Sequence, residues 1–309
     1  MSKIVFFNHY HRGDLHTHKE FIRQIQNELP EFEFEYLHNN PAKLLLDLGI
    51  PTVGDPNHLN SKEPFYAGDG VLYVNTWVGC DWDIFCKHGG INMHTLCEQW
   101  ENIFEGINEV FETELKLNLS NKHYLPRIDY TKFDTSNIDS FLDNDGLLVL
   151  ICNNVPNSNQ SFDSDMSPQI NSLAKQYPTV TFVCTNKFTT EETNIAFTQD
   201  IIKNTEGIDL QEISYLSTHC DIIIGKNSGP YVFCETYDNY MDASKTFISF
   251  NIINPSVEGI QETMSNGLEL QCKYITVPIE NVKITDKDTK TIIDVMTGEI
   301  DEKIKTRVR

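Results

Sequence analysis

HCDIIIGKNSGPYVFCETY, residues 219–237, is the stretch that decides the fold class. Its continuous apolar run, residues 222–224, is typical of a parallel strand that is covered on both faces. A turn of small and polar residues follows, and Pro230 suits the first turn of a helix, where its missing N–H has no consequence. The stretch therefore predicts a buried strand, a turn and a helix.

The turn itself is a predicted anion site. Small residues let the backbone approach a ligand closely, and the free N–H groups at the start of a helix bind phosphate. The residues predicted to hold a phosphate are Lys226, Asn227, Ser228 and Gly229. A plain strand-to-helix connection is the alternative, because Asn and Ser are ordinary N-cap residues.

Apolar runs alternate with amphipathic stretches on both sides of this segment. The predicted strands are Lys3–Phe7, Val71–Val74, Gly146–Cys152, Thr179–Cys184, Asp221–Ile224 and Thr246–Phe250. Apolar residues recur at helical spacing in residues 94–116, Ile170–Tyr177 and Leu210–Leu216. This order of elements predicts an α/β protein.

A polar, turn-rich segment near residues 125–145 precedes a fresh strand and predicts a domain boundary. We expect two Rossmann-like domains, residues 1–140 and 141–275, that face a central cleft. Such architectures bind ligands at the carboxyl ends of their strands. The charged tail, residues 276–309, is expected to pack back on the protein, to form a short hairpin around Thr297 and Gly298, or to be loosely held.

The composition excludes several classes of partner. The chain has 24 basic and 45 acidic side chains, a net charge of −21, and no evident basic patch, which disfavours nucleic acid and anionic membranes. No signal peptide and no apolar run long enough to span a membrane are visible. The eight cysteines are scattered without the spacing of a disulfide scaffold, which favours a reduced, cytoplasmic protein. The sequence predicts no particular oligomeric state.

Two motifs resemble a known family. LQEISYLSTHCDIIIGKNSGP, residues 210–230, resembles the segment of GT-B glycosyltransferases that holds the nucleotide diphosphate. The heptosyltransferases of lipopolysaccharide assembly carry a comparable Asp-Ser-Gly or Asp-Thr-Gly turn there. GDLHT, residues 13–17, resembles the first loop of these enzymes, in which Gly-Asp is followed shortly by His-Thr. In this sequence the His follows the Asp one residue earlier than is usual in the family. ICNNVPNSNQSFD, residues 151–163, differs from that family's Gly-rich basic loop, so donor and acceptor identities are not carried over.

The resemblance implies a GT-B glycosyltransferase that moves a sugar from a nucleotide-activated donor to a glycan or other hydroxyl acceptor. It implies an acceptor-side N-terminal domain and a C-terminal domain that binds the nucleotide sugar. Transfer in such enzymes is expected to be inverting and independent of bound metal, with the nucleotide sugar as co-substrate and no other cofactor.

In the family the Asp of the first loop is the general base, and Asp14 is the matching position. A carboxylate there would deprotonate the acceptor hydroxyl. Alternatively, Asp14 is the N-cap of the following helix, or Thr17 and Glu20 form a capping box and leave Asp14 free. His16 is a second predicted catalytic residue, Arg12 is predicted to contact the diphosphate, and His18 is predicted to pack in the core.

Two sets of His and Cys residues could in principle bind a metal, but their spacing disfavours it. The first set is His9, His11, His16 and His18, whose spacing matches none of the usual zinc signatures. The second set is Cys80, Cys86, His88, His94 and Cys97, which lacks a paired Cys-x2-Cys. We therefore expect no metal site.

Other polar and aromatic residues complete the predicted site. Trp77, Asp81 and Trp82 combine flat apolar faces with a carboxylate, as sugar sites do, and are predicted to bind the acceptor; folding of the Trp residues into the core is the alternative. The residues predicted to bind the donor after the strands of the second domain are Asn153, Asn154, Thr185, Asn186 and Lys187, although Asn is also common in turns. Glu235 is predicted to bind ribose hydroxyls or, alternatively, to be a surface residue.

Three other functions fit parts of the pattern. A GT-B-shaped sugar-nucleotide epimerase or hydrolase would use the same cleft without an acceptor. A non-catalytic sugar- or nucleotide-binding protein would bind without turnover. A metal-dependent hydrolase would use the histidine-rich opening segment.

Overall fold

The structure is a computed structural model that describes residues 2–39, 42–68, 70–90, 92–118, 124–142, 146–154, 165–203, 209–226, 229–252, 269–279 and 285–307. Contacts divide the chain into two compact units, and the boundary between them falls between Lys132 and Phe133. This boundary lies within the polar segment of residues 125–145, and the sequence pattern ended the first domain at residue 140. Each unit contains its own largely parallel sheet.

The first unit is built on a four-stranded sheet. Its strands are β1 (Lys3–Phe7), β2 (Glu33–Leu37), β3 (Phe65–Gly68) and β4 (Val71–Asn75), and its helices are α1 (Arg12–Thr17), α2 (Lys19–Glu28), α3 (Trp82–Lys87) and α4 (Met93–Phe111). The strand order is β2-β1-β4-β3, and only the edge strand β3 is antiparallel to its neighbour among these described strands. Short 3₁₀ segments cover Ala42–Leu48, Pro56–His58, Val78–Cys80 and Tyr130–Lys132.

An aromatic stack fills the core of the first unit. The Phe21 ring on α2 lies 5.1 Å from Trp100 on α4 and 4.1 Å from Tyr124, and all three rings are nearly parallel. Phe21, Trp100 and Tyr124 are almost completely buried. Stacked aromatic pairs add to the free energy gained by burying their area, so this stack fixes α2 and α4 to each other.

The second unit is built on a six-stranded parallel sheet, β10-β9-β8-β5-β6-β7. Its strands are β5 (Leu147–Cys152), β6 (Val180–Cys184), β7 (Ile195–Phe197), β8 (Ile222–Gly225), β9 (Thr246–Ile252) and β10 (Lys273–Ile279). Its helices are α5 (Ser136–Phe141), α6 (Ser167–Gln176), α7 (Thr198–Ile202), α8 (Leu210–Thr218), α9 (Gly229–Cys234), α10 (Tyr237–Tyr240) and α11 (Asp286–Arg307). Every residue of β5 and β8 is buried, as their continuous apolar sequences predicted.

The charged tail is a helix and not a hairpin. Residues 297 and 298, where the hairpin turn was expected, lie inside α11. The buried side chains of Ile292, Met296 and Ile300 are spaced by four residues, so one face of α11 packs into the core of the second unit. The helix α4 ends at Phe111, before the predicted limit of 116. After the helix ends, the Leu115 N–H donates to Oδ1 of Asn108, inside α4, at 2.7 Å, so the chain folds back toward the helix.

Candidate functional site

Asn8 shapes the turn between β1 and α1. It is the first residue after β1 and is completely buried. Its side-chain Oδ1 accepts the backbone N–H of Tyr10 at 2.7 Å and that of His11 at 3.2 Å. Asn side chains commonly bond to the backbone two residues further on, and this bond forms the turn. The turn carries the chain from the carboxyl end of the strand into α1.

Asp14 lies at the third position of α1, and its carboxyl is held on two sides. Asn8 Nδ2 donates to Asp14 Oδ2 at 3.3 Å, and the backbone N–H of Val78 donates to the same carboxyl group. Only 7% of Asp14 is exposed. Burial raises the pKa of Asp14 to about 7, and the two hydrogen bonds oppose that rise. A carboxyl with this pKa exchanges a proton near neutral pH, which suits a general base.

Both predicted capping interactions are wrong. α1 begins after His11 and α2 begins after His18, so Asp14 is not an N-cap. The Thr17 hydroxyl donates to the Asp14 carbonyl oxygen at 3.2 Å. Glu20 instead accepts from Arg23 and from the Arg127 backbone N–H. The Asp14 carboxyl therefore caps neither helix, and its partners are Asn8 and the Val78 N–H.

Thr76 and Tyr36 extend the network around Asn8. Asn8 Nδ2 lies 3.5 Å from Thr76 Oγ1, which also donates to the Phe7 carbonyl oxygen at 3.3 Å. The Tyr36 hydroxyl forms a short hydrogen bond to Thr76 Oγ1. Burial raises the pKa of Tyr36, so the phenol stays protonated. Asn8, Thr76 and Tyr36 were not predicted from the sequence.

The histidines of the opening segment have different environments. His16 is completely buried within α1. His18 is also completely buried and accepts a hydrogen bond from Trp100 Nε1 at 3.1 Å, which confirms its predicted place in the core. Burial lowers the pKa of His18 to about 3, so the ring is neutral.

A group of basic side chains lies at the ends of β1 and β2. Arg12 is exposed at the start of α1, and it acts electrostatically on His38 together with His9 and His11. Burial lowers the pKa of His38 to about 4, and the positive charge of these neighbours contributes a smaller part of the same shift. Within the described ranges no group of three or more metal-ligating side chains converges, in this segment or around Cys80 and His88.

The three predicted acceptor residues are held differently. Asp81 is the N-cap of α3, and its Oδ1 accepts the Ile84 N–H at 3.1 Å. Trp82 is 61% exposed and stacks on Phe85 within α3. Trp77 directly precedes Val78, the residue whose backbone N–H donates to the Asp14 carboxyl. Trp77 is therefore linked to Asp14 through one peptide unit.

In the second unit, the turn after β8 is tightly packed. A Cβ atom on Gly225 would lie 2.7 Å from the Cys152 Cβ and 2.8 Å from the Tyr231 ring, so only glycine fits. Lys226 follows and is 97% buried. Gly229 begins α9 with a φ of +37°, in the range that favours glycine. The predicted phosphate contacts Asn227 and Ser228 lie outside the described residues.

Glu235 is buried and is not a surface residue. It follows α9 and is only 2% exposed. The Tyr240 hydroxyl donates to Glu235 Oε1 at 2.6 Å, whereas Oε2 has no hydrogen-bond partner in the part of the chain that the structure describes. Burial raises the pKa of Glu235 to about 8. An unpaired buried carboxyl oxygen is unfavourable unless a ligand bonds to it.

Most of the predicted donor residues after β5 and β6 already have partners within the protein. Asn153 Nδ2 donates to the Asn186 carbonyl oxygen at 3.0 Å, and Asn153 Oδ1 accepts the Asn186 N–H at 2.8 Å. The Thr185 hydroxyl donates to the Ile151 carbonyl oxygen at 3.4 Å. Lys187 forms an exposed ion pair with Asp200. Asn154 differs, because its buried Oδ1 is unpaired among the described residues.

A separate cavity of about 340 Å³ lies along α2. Its lining residues are Glu20, Arg23, Gln24, Asn27, Glu28, Asn118, Tyr124 and Arg127. Glu20 is paired with both arginines. The cavity shares no residue with the predicted site.

Comparisons with known proteins identify the fold. No family model matches the chain, and no curated protein matches it. Several solved structures match over nearly its whole length, among them two heptosyltransferases of E. coli. ADP-heptose lps heptosyltransferase II of E. coli matches 99% of this chain and 100% of its own, with 11% identity and a TM-score of 0.51. E. coli heptosyltransferase WaaC, solved with ADP-2-deoxy-2-fluoro heptose, matches 96% of this chain and 99% of its own, with 6% identity and a TM-score of 0.51.

The predicted fold class is therefore confirmed: the chain has the two Rossmann-like domains of GT-B glycosyltransferases. Among the residues that the structure describes, no helix is long and apolar enough to cross a membrane.

Proposed function

We propose that the protein is a glycosyltransferase that moves a sugar from a nucleotide-activated donor to a hydroxyl acceptor. The observation that carries the proposal is the Asp14 carboxyl, which follows the first strand of a GT-B fold and is tuned by burial to a pKa of about 7. The heptosyltransferase fold of the two matched structures supports the same reading.

In this mechanism Asp14 is the general base. Its carboxylate removes the proton of the acceptor hydroxyl while the acceptor oxygen bonds to the anomeric carbon of the donor. The bond between that carbon and the diphosphate oxygen breaks, and the nucleoside diphosphate leaves with the electron pair. Attack opposite the leaving group inverts the anomeric configuration. Asn8 and the Val78 N–H orient the carboxylate for this step.

Residues of the second unit bind the donor in this proposal. The ammonium group of Lys226, together with Asn227, Ser228 and Gly229, holds the diphosphate. The unpaired Oε2 of Glu235 forms a hydrogen bond with a ribose hydroxyl, which gives this buried carboxyl oxygen a partner. Asn154, whose Oδ1 is also unpaired among the described residues, is a further donor contact.

The other predicted residues receive more limited roles. Arg12 is a proposed anion contact, because it is exposed at the start of α1, two residues before Asp14. Asn153, Thr185, Asn186 and Lys187 shape the ends of β5 and β6. Trp77 is a proposed acceptor contact, and Asp81 and Trp82 support the α3 region beside it. Catalysis without a bound metal and a cytoplasmic location remain part of the proposal, the latter supported by eight unpaired cysteines.

A thermal-shift screen against nucleotides and nucleotide sugars tests the function. We expect one nucleoside diphosphate and its sugar conjugates to raise the Tm, because a ligand that binds only the folded state stabilises it. Turnover of that nucleotide sugar without any acceptor would instead favour an epimerase or hydrolase. Binding without turnover across a wide acceptor panel would favour a non-catalytic binding protein. A flat response to every nucleotide would contradict the proposal.

A further inference from the structure

The two hydrogen bonds to the Asp14 carboxyl come from different parts of the first unit. One donor is the Asn8 side chain, directly after β1, and the other is the backbone N–H of Val78, after β4. A donor orients a carboxyl only when its own position is fixed by packing and by further hydrogen bonds. The groups that fix these two donors therefore bear on the proposed base.

Thr76 and Tyr36 fix the Asn8 donor. Asn8 Oδ1 accepts two backbone N–H groups of the turn, so the amide cannot be reversed and Nδ2 must face Asp14 and Thr76. Asn8 Nδ2 lies 3.5 Å from Thr76 Oγ1, and the Tyr36 hydroxyl forms a short hydrogen bond to the same oxygen. Tyr36 lies on β2, so the chain of contacts crosses the three adjacent strands β2, β1 and β4.

Gln99, on α4, fixes the Val78 donor. Gln99 Nε2 donates to the Trp77 carbonyl oxygen at 3.4 Å and to Cys80 Sγ at 3.0 Å. The Cys80 N–H also donates to the Trp77 carbonyl oxygen, at 3.0 Å, and closes the short 3₁₀ turn. Gln99 therefore joins both ends of the turn that contains Val78.

Burial alone does not give these side chains a role. Tyr36 is completely buried and Gln99 is 1% exposed, and buried hydroxyl and amide groups need hydrogen-bond partners wherever they lie. Each of them, however, leads to a donor of the same carboxyl group. Burial raises the pKa of Tyr36, and the negative charge of Asp14 adds to that rise, so the two groups also interact directly.

We propose that Tyr36 and Gln99 are positioning residues for the general base, Tyr36 through Thr76 and Asn8, and Gln99 through the turn that holds Val78. The inference rests on the proposed function. Both donors stabilise the ionised carboxyl, so a weaker hydrogen bond from either one raises the pKa of Asp14. It also lets the carboxyl turn away from the acceptor hydroxyl, which slows proton transfer.

The first test uses Y36F and Q99L, which remove hydrogen-bonding groups and keep most of the side-chain volume. We expect each variant to lower kcat about fivefold, the scale of one hydrogen bond between neutral groups, and to move the acid limb of the kcat profile to higher pH. The donor-induced Tm shift should stay at the wild-type value. Y73F is the matched control, because it removes a hydroxyl from β4 in the same sheet, and it should change neither kcat nor the limb.

The second test combines each change with N8A and separates the two routes. Y36F should lower kcat no further in the N8A background, because its effect passes through Asn8. Q99L should lower kcat by the same factor in N8A as in the wild-type protein, because its effect passes through Val78. An equal effect of Y36F in both backgrounds would overturn the route through Asn8, and loss of the Q99L effect in N8A would overturn the separate route through Val78.

A lower Tm with an unmoved acid limb in Y36F and Q99L would show that both residues only support the fold, and would overturn the inference. That result would leave the role of Asp14 intact. Failure of the proposed function would appear differently, as wild-type transfer by D14N or as the absence of any donor-induced Tm shift in the wild-type protein.

Discussion

Asn8 Nδ2 lies 3.3 Å from Asp14 Oδ2, and Asn8 is completely buried at the end of β1. The same amide orients the turn through its Oδ1 and contacts Thr76 through its Nδ2. Asn8 is therefore a positioning residue for the proposed base. Its hydrogen bond favours the charged form of Asp14 and so opposes the effect of burial on the carboxyl pKa.

Replacing Asn8 should change both the rate and its pH dependence. In N8A the carboxyl loses an orienting donor, and we expect kcat to fall by up to about 10²-fold. Loss of that hydrogen bond also raises the pKa of Asp14 further. The acid limb of the kcat profile should therefore move to higher pH than in the wild type. A merely structural role would lower the amount of folded protein without moving this limb.

The pH dependence of the wild-type enzyme follows from Asp14. The base must be ionised, and burial places its pKa at about 7. We expect kcat to fall about tenfold for each pH unit below 7 and to level off above it. Initial rates between pH 5 and 9 measure this. A limb near pH 4, the ordinary value for an aspartate, would show that the carboxyl is solvated in the working enzyme.

The raised pKa of Asp14 also predicts an effect on stability. A carboxyl with a folded pKa above its unfolded value contributes stability below about pH 4 that is lost as the pH rises through 7. D14N removes this dependence, so its advantage over the wild type should grow between pH 4 and pH 7. A difference of about three pH units between the two pKa values corresponds to at most about 4 kcal/mol. Urea unfolding at pH 4, 5.5 and 7 measures the trend, and a constant difference would contradict it.

Replacing Glu235 with Gln should weaken donor binding but increase the stability of the protein at high pH. Burial raises its pKa to about 8, so the wild type loses stability as the pH rises through 8, and E235Q should be the more stable protein at pH 9. The amide weakens the proposed ribose contact, so the donor Kd should rise about tenfold. E302Q, on the exposed face of α11, is the control and should bind donor normally. Unchanged donor affinity in E235Q would exclude the ribose contact.

His18 gives a prediction for the core of the first unit. H18L removes the acceptor of the Trp100 N–H and should destabilise the protein at pH 8 by about 1–3 kcal/mol. The folded pKa of about 3 lies below the ordinary value of 6.5, so the stability contributed by neutral His18 is complete above pH 6.5 and is lost as the pH falls toward 3. The penalty of H18L should therefore shrink between pH 6.5 and 4. A penalty that does not vary with pH would contradict this.

Much of the fold could be predicted because its central strands are continuous apolar runs. β1, β5 and β8 were found from such runs, whereas the edge strand β2 was missed. Its sequence, EFEYL, alternates glutamates with aromatic residues, and its burial is only partial. For the tail, the alternative of a hairpin was wrong: Thr297 and Gly298 suggested a turn, although the spacing of Ile292, Met296 and Ile300 is helical.

The candidate site was predictable where residues are close in sequence and not where strand register brings them together. Asp14 was predicted from a local motif. Thr76 was missed because it meets Asn8 across 68 residues. The parallel register pairs Phe7 with Asn75, which makes Asn8 and Thr76 the next residues on adjacent strands. No local pattern in the sequence contains that pairing.

The most direct test measures sugar transfer and donor binding together in D14N, with D83N, an exposed carboxyl in α3, as the matched control. The account predicts that D14N loses about 10²–10⁴-fold in kcat while its donor-induced Tm shift stays at the wild-type value, and that D83N changes neither quantity. Wild-type transfer by D14N, or loss of donor binding together with transfer, would contradict the assignment of Asp14 as the general base.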